Sequence, residues 1–242
     1  MLPAWLFTQP STQPERCSLV SSFVARQAVI FVAGCLFLLY MWVQVRRGSE
    51  TRDLRTIVAD ISKQGGQQAF GGLVMVLLGV FLAHDSLDSL AWYGAEYPFE
   101  VVLTTYFTSK LRVWVEDGFG RWYARRGHAW LEPYTVCGRY GPTPGEFRCD
   151  WYGAQLVQAV LLIGIPARVG SVLVILASLA LPGLKELSPV LLLGRLWYDS
   201  GLSCAQRTIG ALYMMPVLGD AVQFIVIDRI QRYKKKDEML LH

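Results

Sequence analysis

From Gln27 to Val45 the chain runs through apolar side chains almost without interruption, with Ala28-Val29-Ile30-Phe31-Val32-Ala33-Gly34-Cys35-Leu36-Phe37-Leu38-Leu39-Tyr40-Met41-Trp42 at its centre. A helix of this length with no polar side needs apolar surroundings in every direction, and it is long enough to cross the hydrocarbon core of a bilayer. Arg46-Arg47-Gly48 closes it. The rest of the chain suits the same solvent. Just over half of its 242 residues are hydrophobic, 17% are charged and the mean hydropathy is +0.33. That balance fits a polytopic membrane protein better than a soluble domain.

The predicted fold is all-α: a polytopic integral membrane helical bundle of about five transmembrane helices plus an interfacial helix. The spans fall at about 27–45, 69–90, 99–117, 151–181 and 209–228, after a lumenal or external segment 1–26 and before a short basic cytosolic tail 229–242. The linker up to about Gln68 mixes Arg52, Arg55 and Lys63 with Glu50, Asp53 and Asp60, and should be solvated. The third span is the most polar. Thr104, Thr105, Thr108, Ser109, Arg112 and Glu116 share an arc of roughly 140° at 100° per residue, as a helix facing the bundle interior would show. An amphipathic helix in the interface is the alternative. Gly118 to Asp150 is rich in turn formers and reads as a loop with at most a short helix at its start. A kink is expected near Pro166. The apolar stretch between Leu184 and Thr208 is too short to span and fits an interfacial helix.

Basic residues set the orientation. The first linker, the loop from Arg121 to Arg148 and the tail from Arg229 to Lys236 each carry five Lys or Arg, while the loop before Pro98 carries none. The positive-inside rule then puts the C-terminus in the cytosol. Cys137 and Cys149 would face the cytosol and stay reduced. The five cysteines form no CxxC pair, so neither a zinc site nor a disulfide framework is signalled.

Charges inside spans are the candidate functional residues. Asp220 falls near the middle of the last span, one turn after Pro216, and Arg168 lies deep in the fourth. Each is the other's expected partner, as a structural ion pair or, less favoured, as part of a proton or cation relay. Asp228 lies near the helix exit beside Arg229 and reads as a solvated or salt-bridged end. Lys234-Lys235-Lys236 beside the span would attract anionic lipid headgroups or simply anchor the helix end. His84, Asp85 and Asp88 read as a solvated helix end in preference to a metal site. Asp117-Gly118 lacks the preceding Asp and the correctly spaced Ala-Arg that phosphatidyl-alcohol transferases need. No GxSxG, P-loop or HExxH arrangement occurs, so no enzyme activity, cofactor or metal is predicted. The charge pattern holds no nucleic-acid footprint.

Asp60-Ile61-Ser62-Lys63-Gln64 resembles the Asp-[Thr/Ser]-Ser-Lys-Gln motif of the STIMATE family of multi-pass membrane proteins, which includes fungal vacuolar members. Further matches follow in order. They are Gly138-Arg139-Tyr140-Gly141, Cys149 and Trp151, then Pro216, Gln223-Phe224 and Asp228, so that the resemblance covers roughly Asp60 to Arg232. The chain departs from the family pattern at Thr104-Thr105, at Ala167 before Arg168, and at Asp220, where the family usually has Asn. The resemblance implies a non-enzymatic endomembrane protein of the endoplasmic reticulum or vacuole. It would regulate store-operated calcium entry where the endoplasmic reticulum meets the plasma membrane, with membrane lipids and a calcium-sensor protein as partners. That role goes with a long basic cytosolic tail, and this sequence stops soon after Lys236, so the resemblance implies the membrane fold more strongly than the calcium role. Two alternatives stand beside it: an accessory subunit of a large membrane complex, with the mitochondrial inner membrane as its location, and a small transporter or channel using Asp220 and the third-span stripe.

Overall fold

The computed structural model describes residues 16–17, 23–50, 52–82, 87–143, 145–180 and 188–231. Its described elements are helical: α1 (Phe23–Arg46), α2 (Leu54–Leu82), α3 (Ser89–Arg126), a 3-10 turn (Ala129–Tyr134), α4 (Cys149–Val157), α5 (Ile165–Ala180), α6 (Pro189–Tyr198), α7 (Cys204–Thr208) and α8 (Met215–Gln231). A π-helical segment, Gln158–Gly164, joins α4 to α5, and another, Ile209–Met214, joins α7 to α8. Among the described residues three continuous helical stretches are long and apolar enough to cross a membrane: Ala28–Arg46, Cys149–Ala180 and Cys204–Ile230. They correspond to the first, fourth and fifth predicted spans. α2 and α3 are long but more polar.

The kink expected at Pro166 takes a specific form. Pro166 and Pro216 each stand two residues beyond the end of a π segment. A proline ring clashes with the carbonyl four residues earlier, and a wider turn at that point moves the carbonyl aside so that the helix continues.

The boundaries of two helices differ from the sequence expectation. α2 begins at Leu54, so the stretch expected to be a solvated linker is helix, and Asp60, Lys63, Gln64 and Gln68 on it are buried. Asp60 meets Tyr140 and Arg52, Lys63 meets Gln155, and Gln68 meets Arg168 and Gln223, protein partners that replace water. α3 covers 38 residues, twice the span predicted there. It starts early because Asp88 caps it, accepting the Ala91 N–H at 2.7 Å, and it stops late because Gly127 ends it with φ at 64° and its N–H on the Tyr123 carbonyl. The second predicted span ran to residue 90, whereas α2 ends at Leu82 and Leu90 belongs to α3.

α3 is the central helix, packing on α2, α5, α6 and α8, while α1 lies against α2 and α8. One apolar cluster joins Ile30, Ala33, Phe37 and Met41 of α1 to Ile57 and Phe224. Another seats Val190 and Leu191 of α6 on Trp92, Ala95 and Ile175. At ten residues α6 is too short to cross a bilayer. The outer surface is apolar: Phe31, Leu39, Leu77, Phe81, Val102, Leu173, Leu218 and Val222 are exposed, whereas Lys63, Glu96, Glu100, Arg168 and Asp220 are buried. This is the reverse of a water-soluble domain.

Candidate functional site

Buried polar side chains occupy the bundle at three levels. The first lies at the end where α2 begins and α8 finishes. Asp60 is its centre: one carboxylate oxygen accepts the Tyr140 hydroxyl at 2.5 Å and faces the Lys63 ammonium at 3.2 Å, and the other faces Arg52 at 2.9 Å. The Arg52 guanidinium also grips Asp228, at 2.8 and 3.0 Å, and Glu50 at 3.0 Å. Burial alone would lower its pKa, but the three carboxylates outweigh burial and hold it above the ordinary arginine range. Lys63 lies 4.7 Å over the Tyr140 ring and donates to Gln155 at 3.3 Å. The same Gln155 oxygen accepts the Gly138 N–H, and its amide group donates to the Val136 and Arg139 carbonyls. Burial, with the Asp60 charge beside it, pushes the Tyr140 phenol far above its usual range, so it stays a donor.

Five of the resemblance-bearing residues therefore meet here. Asp60, Lys63, Gly138, Tyr140 and Asp228 share one network, and Ser62 exchanges a hydrogen bond with Tyr152 at 2.7 Å beside it. Gly138 has a left-handed φ of 82°, and a Cβ on Gly141 would lie 2.7 Å from the Glu146 carbonyl oxygen. Both positions thus require glycine for backbone reasons. Phe224 packs edge-on against Phe37. Gln64 is buried, and its amide has no hydrogen-bond partner among the described residues. Asp228 is salt-bridged and not solvated, since only 2% of it is exposed. Lys234, Lys235 and Lys236 lie outside the described residues, as do His84 and Asp85.

The second level holds the two charges expected at depth. Arg168 forms its ion pair with Glu100 of α3 and donates to Gln68, which in turn donates to Gln223 of α8. Glu100, one turn before the predicted stripe, is thus a carboxylate seated on Arg168 that the sequence reading did not name. Asp220 accepts the Tyr97 hydroxyl at 2.7 Å. Thr104 donates to Glu100 and meets Ser171 at 3.0 Å, so part of the predicted stripe does face the interior. Two glycines make room: a Cβ on Gly71 would fall 2.2 Å from the Arg168 guanidinium carbon, and one on Gly219 would fall 2.8 Å from the Tyr97 ring. Glu96, one turn before Glu100, is fully buried and neither carboxylate oxygen has a hydrogen-bond partner among the described residues.

The third level closes the opposite end. Asp88 pairs with Arg207 at 3.0 Å and accepts the Cys17 N–H at 2.8 Å, so it is a buried cap and not the solvated end predicted. Cys17 is disulfide-bonded to Cys204, 187 positions away. Cysteine spacing carried no sign of this link. Cys35, Cys137 and Cys149 are free, and only Cys137 of the three is buried.

Sequence reasoning missed Arg52, Gln68, Glu100, Gln155 and Arg207. Glu100 was within reach, because it lies four residues before Thr104 and extends the same stripe. Arg52 and Gln155 carry no comparable signal, since what marks them is contact with distant residues, Asp228 for Arg52 and Lys63 for Gln155. The network around Asp60 and Arg52 links α2, α4 and α8 with two loops, and its chemistry is charge pairing and hydrogen bonding at fixed geometry. Comparison with family models, with curated proteins and with solved structures returns no match for this chain.

Proposed function

We propose that the chain is a five-span endomembrane protein of the STIMATE type, with its C-terminus in the cytosol, acting on neighbouring membrane proteins by contact and not by catalysis. In this reading α2 and α3 complete the spans. One observation carries it: residues that resemble the family motifs, separated by up to 168 positions, assemble into the single charge network around Asp60 and Arg52. That convergence is the support for the reading. The orientation draws support from the cysteines. The disulfide lies at the end assigned to the lumen, and free Cys137 and Cys149 lie at the end assigned to the cytosol, matching the redox difference between the two compartments.

The test is affinity purification from the native membrane with the organelle identified, together with store-operated calcium entry in cells lacking the protein. Recovery of a calcium sensor and reduced entry support the proposal. Normal entry, with many stoichiometric membrane subunits recovered, favours the accessory-subunit alternative. Labelling of Cys149 from the lumenal side of intact vesicles would overturn the orientation.

A second reading, a small transporter or channel, rests on the middle level, where Glu96, Glu100, Arg168 and Asp220 lie buried between helices. Ionisable groups at such depth commonly mark ion or proton paths. Flux in proteoliposomes that is lost in Asp220→Asn, with folding intact, is the outcome this reading expects.

A further inference from the structure

On the outer side of α3, away from the polar levels, Trp114, Val115, Gly118, Phe119, Arg121 and Trp122 line a groove of about 340 Å³, closed by Leu162 of the first π segment. From Trp114 to Trp122 is eight residues, roughly 12 Å along the helix axis. The two ends of the groove lie at different depths. Leu162 and Trp114 belong to the apolar side of the bundle. Glu116 accepts the Cys137 backbone N–H at 3.1 Å, so Arg121 stands more than a turn beyond the level of that loop residue.

The aromatic side chains around it suit a membrane–water boundary. Phe119 stacks on Trp122 and on Tyr134, with ring centroids 5.9 and 4.8 Å apart, and Trp122 meets Trp130 edge-on at 5.4 Å. Trp114, Trp122 and Trp130 nevertheless stay 71%, 44% and 57% exposed. Indoles with an apolar body and a wet edge collect at the headgroup level. The exposed charge there is mainly positive: Arg121, Arg125 and Arg126 against Asp117, while Glu116 is taken by Arg112 at 2.9 Å.

We infer that this groove is a binding site for one anionic phospholipid of the cytosolic leaflet, its acyl chain along Trp114, Val115 and Leu162 and its headgroup against Arg121. The site rests on the membrane reading of the previous section and adds to it a specific lipid class. Apolar lining alone would accept any acyl chain. The arginine at the outer end of the groove supplies the selectivity, at about fivefold in affinity per positive charge near the surface.

The experiment uses the full chain reconstituted in phosphatidylcholine vesicles containing a minority of phosphatidylserine, with bromine on the acyl chains of one lipid or the other, and reads tryptophan fluorescence. Brominated phosphatidylserine should quench more than the same fraction of brominated phosphatidylcholine. The excess should vanish when Trp114→Phe and Trp122→Phe are combined, and Arg121→Gln should lower the apparent phosphatidylserine affinity about fivefold. Equal quenching by the two lipids overturns the site while leaving the membrane reading intact. Quenching by neither overturns both. An excess that Arg121→Gln leaves unchanged overturns the headgroup assignment.

Discussion

Arg168 and Glu100 show how much a single contact decides at the residue scale. Both are almost wholly buried, with side-chain exposures of 2% and 1%. Removing one member of such a pair strands the other charge in a medium that cannot solvate it, at a cost of about 3–5 kcal/mol. Arg168→Gln should therefore unfold much more readily in detergent than the parent, and adding Glu100→Gln should recover most of the loss. A double-mutant cycle on thermal unfolding measures this directly. Cys137 and Cys149 offer a second residue-scale expectation. Burial pushes the Cys137 thiol above its usual range, opposed in part by Lys63 and Arg112, so near neutral pH it stays protonated as well as covered. Cys149 is exposed. A maleimide applied to native protein should label Cys149 promptly and Cys137 only after unfolding, as peptide mapping would report.

At the scale of elements, helix approach is set by glycines whose neighbours are polar. Gly71 lets α2 lie against the Arg168 guanidinium, and Gly219 lets α8 lie against Tyr97. Gly71→Ala would push a guanidinium that Glu100 and Gln68 hold in place, so the far end of that side chain cannot simply swing away. We expect a loss of about 1–3 kcal/mol, as for other overpacked sites. Gly65 on the same helix is the control, because a Cβ there meets nothing within 4 Å. Gly65→Ala should be neutral or stabilise by about 1 kcal/mol, the helix-propensity difference. Thermal unfolding of the two variants side by side tests the contrast. The π segments before Pro166 and Pro216 belong to this scale too, since they let two proline-bearing helices remain continuous.

For the whole molecule, the two ends of the bundle are tied differently. One end is tied by charge, through Arg52 and Asp60. The other is tied covalently, through Cys17–Cys204, with Asp88 and Arg207 beside it. Closing a loop this long stabilises by up to about 5 kcal/mol on chain-entropy grounds. The Cys17→Ser variant should melt earlier than the parent, and reduction should lower the parent toward it. Reduction should not affect the variant further.

The positions of the three helical stretches long and apolar enough to cross a membrane, α1, α4–α5 and α7–α8, were legible in the sequence, because an unbroken apolar run is a local property. The depth of Arg168 and Asp220 was legible for the same reason, and so was the inward face of Thr104 and Thr108. Partners were not. Glu100 against Arg168, Tyr97 against Asp220, Arg52 bridging Asp60 and Asp228, and Cys17 joined to Cys204 all depend on which helices touch and in what register. The start of α2 and the length of α3 belong with them. Polar, glycine-containing stretches read as solvated linkers until the fold brings Tyr140 to Asp60, Gln155 to Lys63 and the Cys137 N–H to Glu116, and only the packed bundle supplies those.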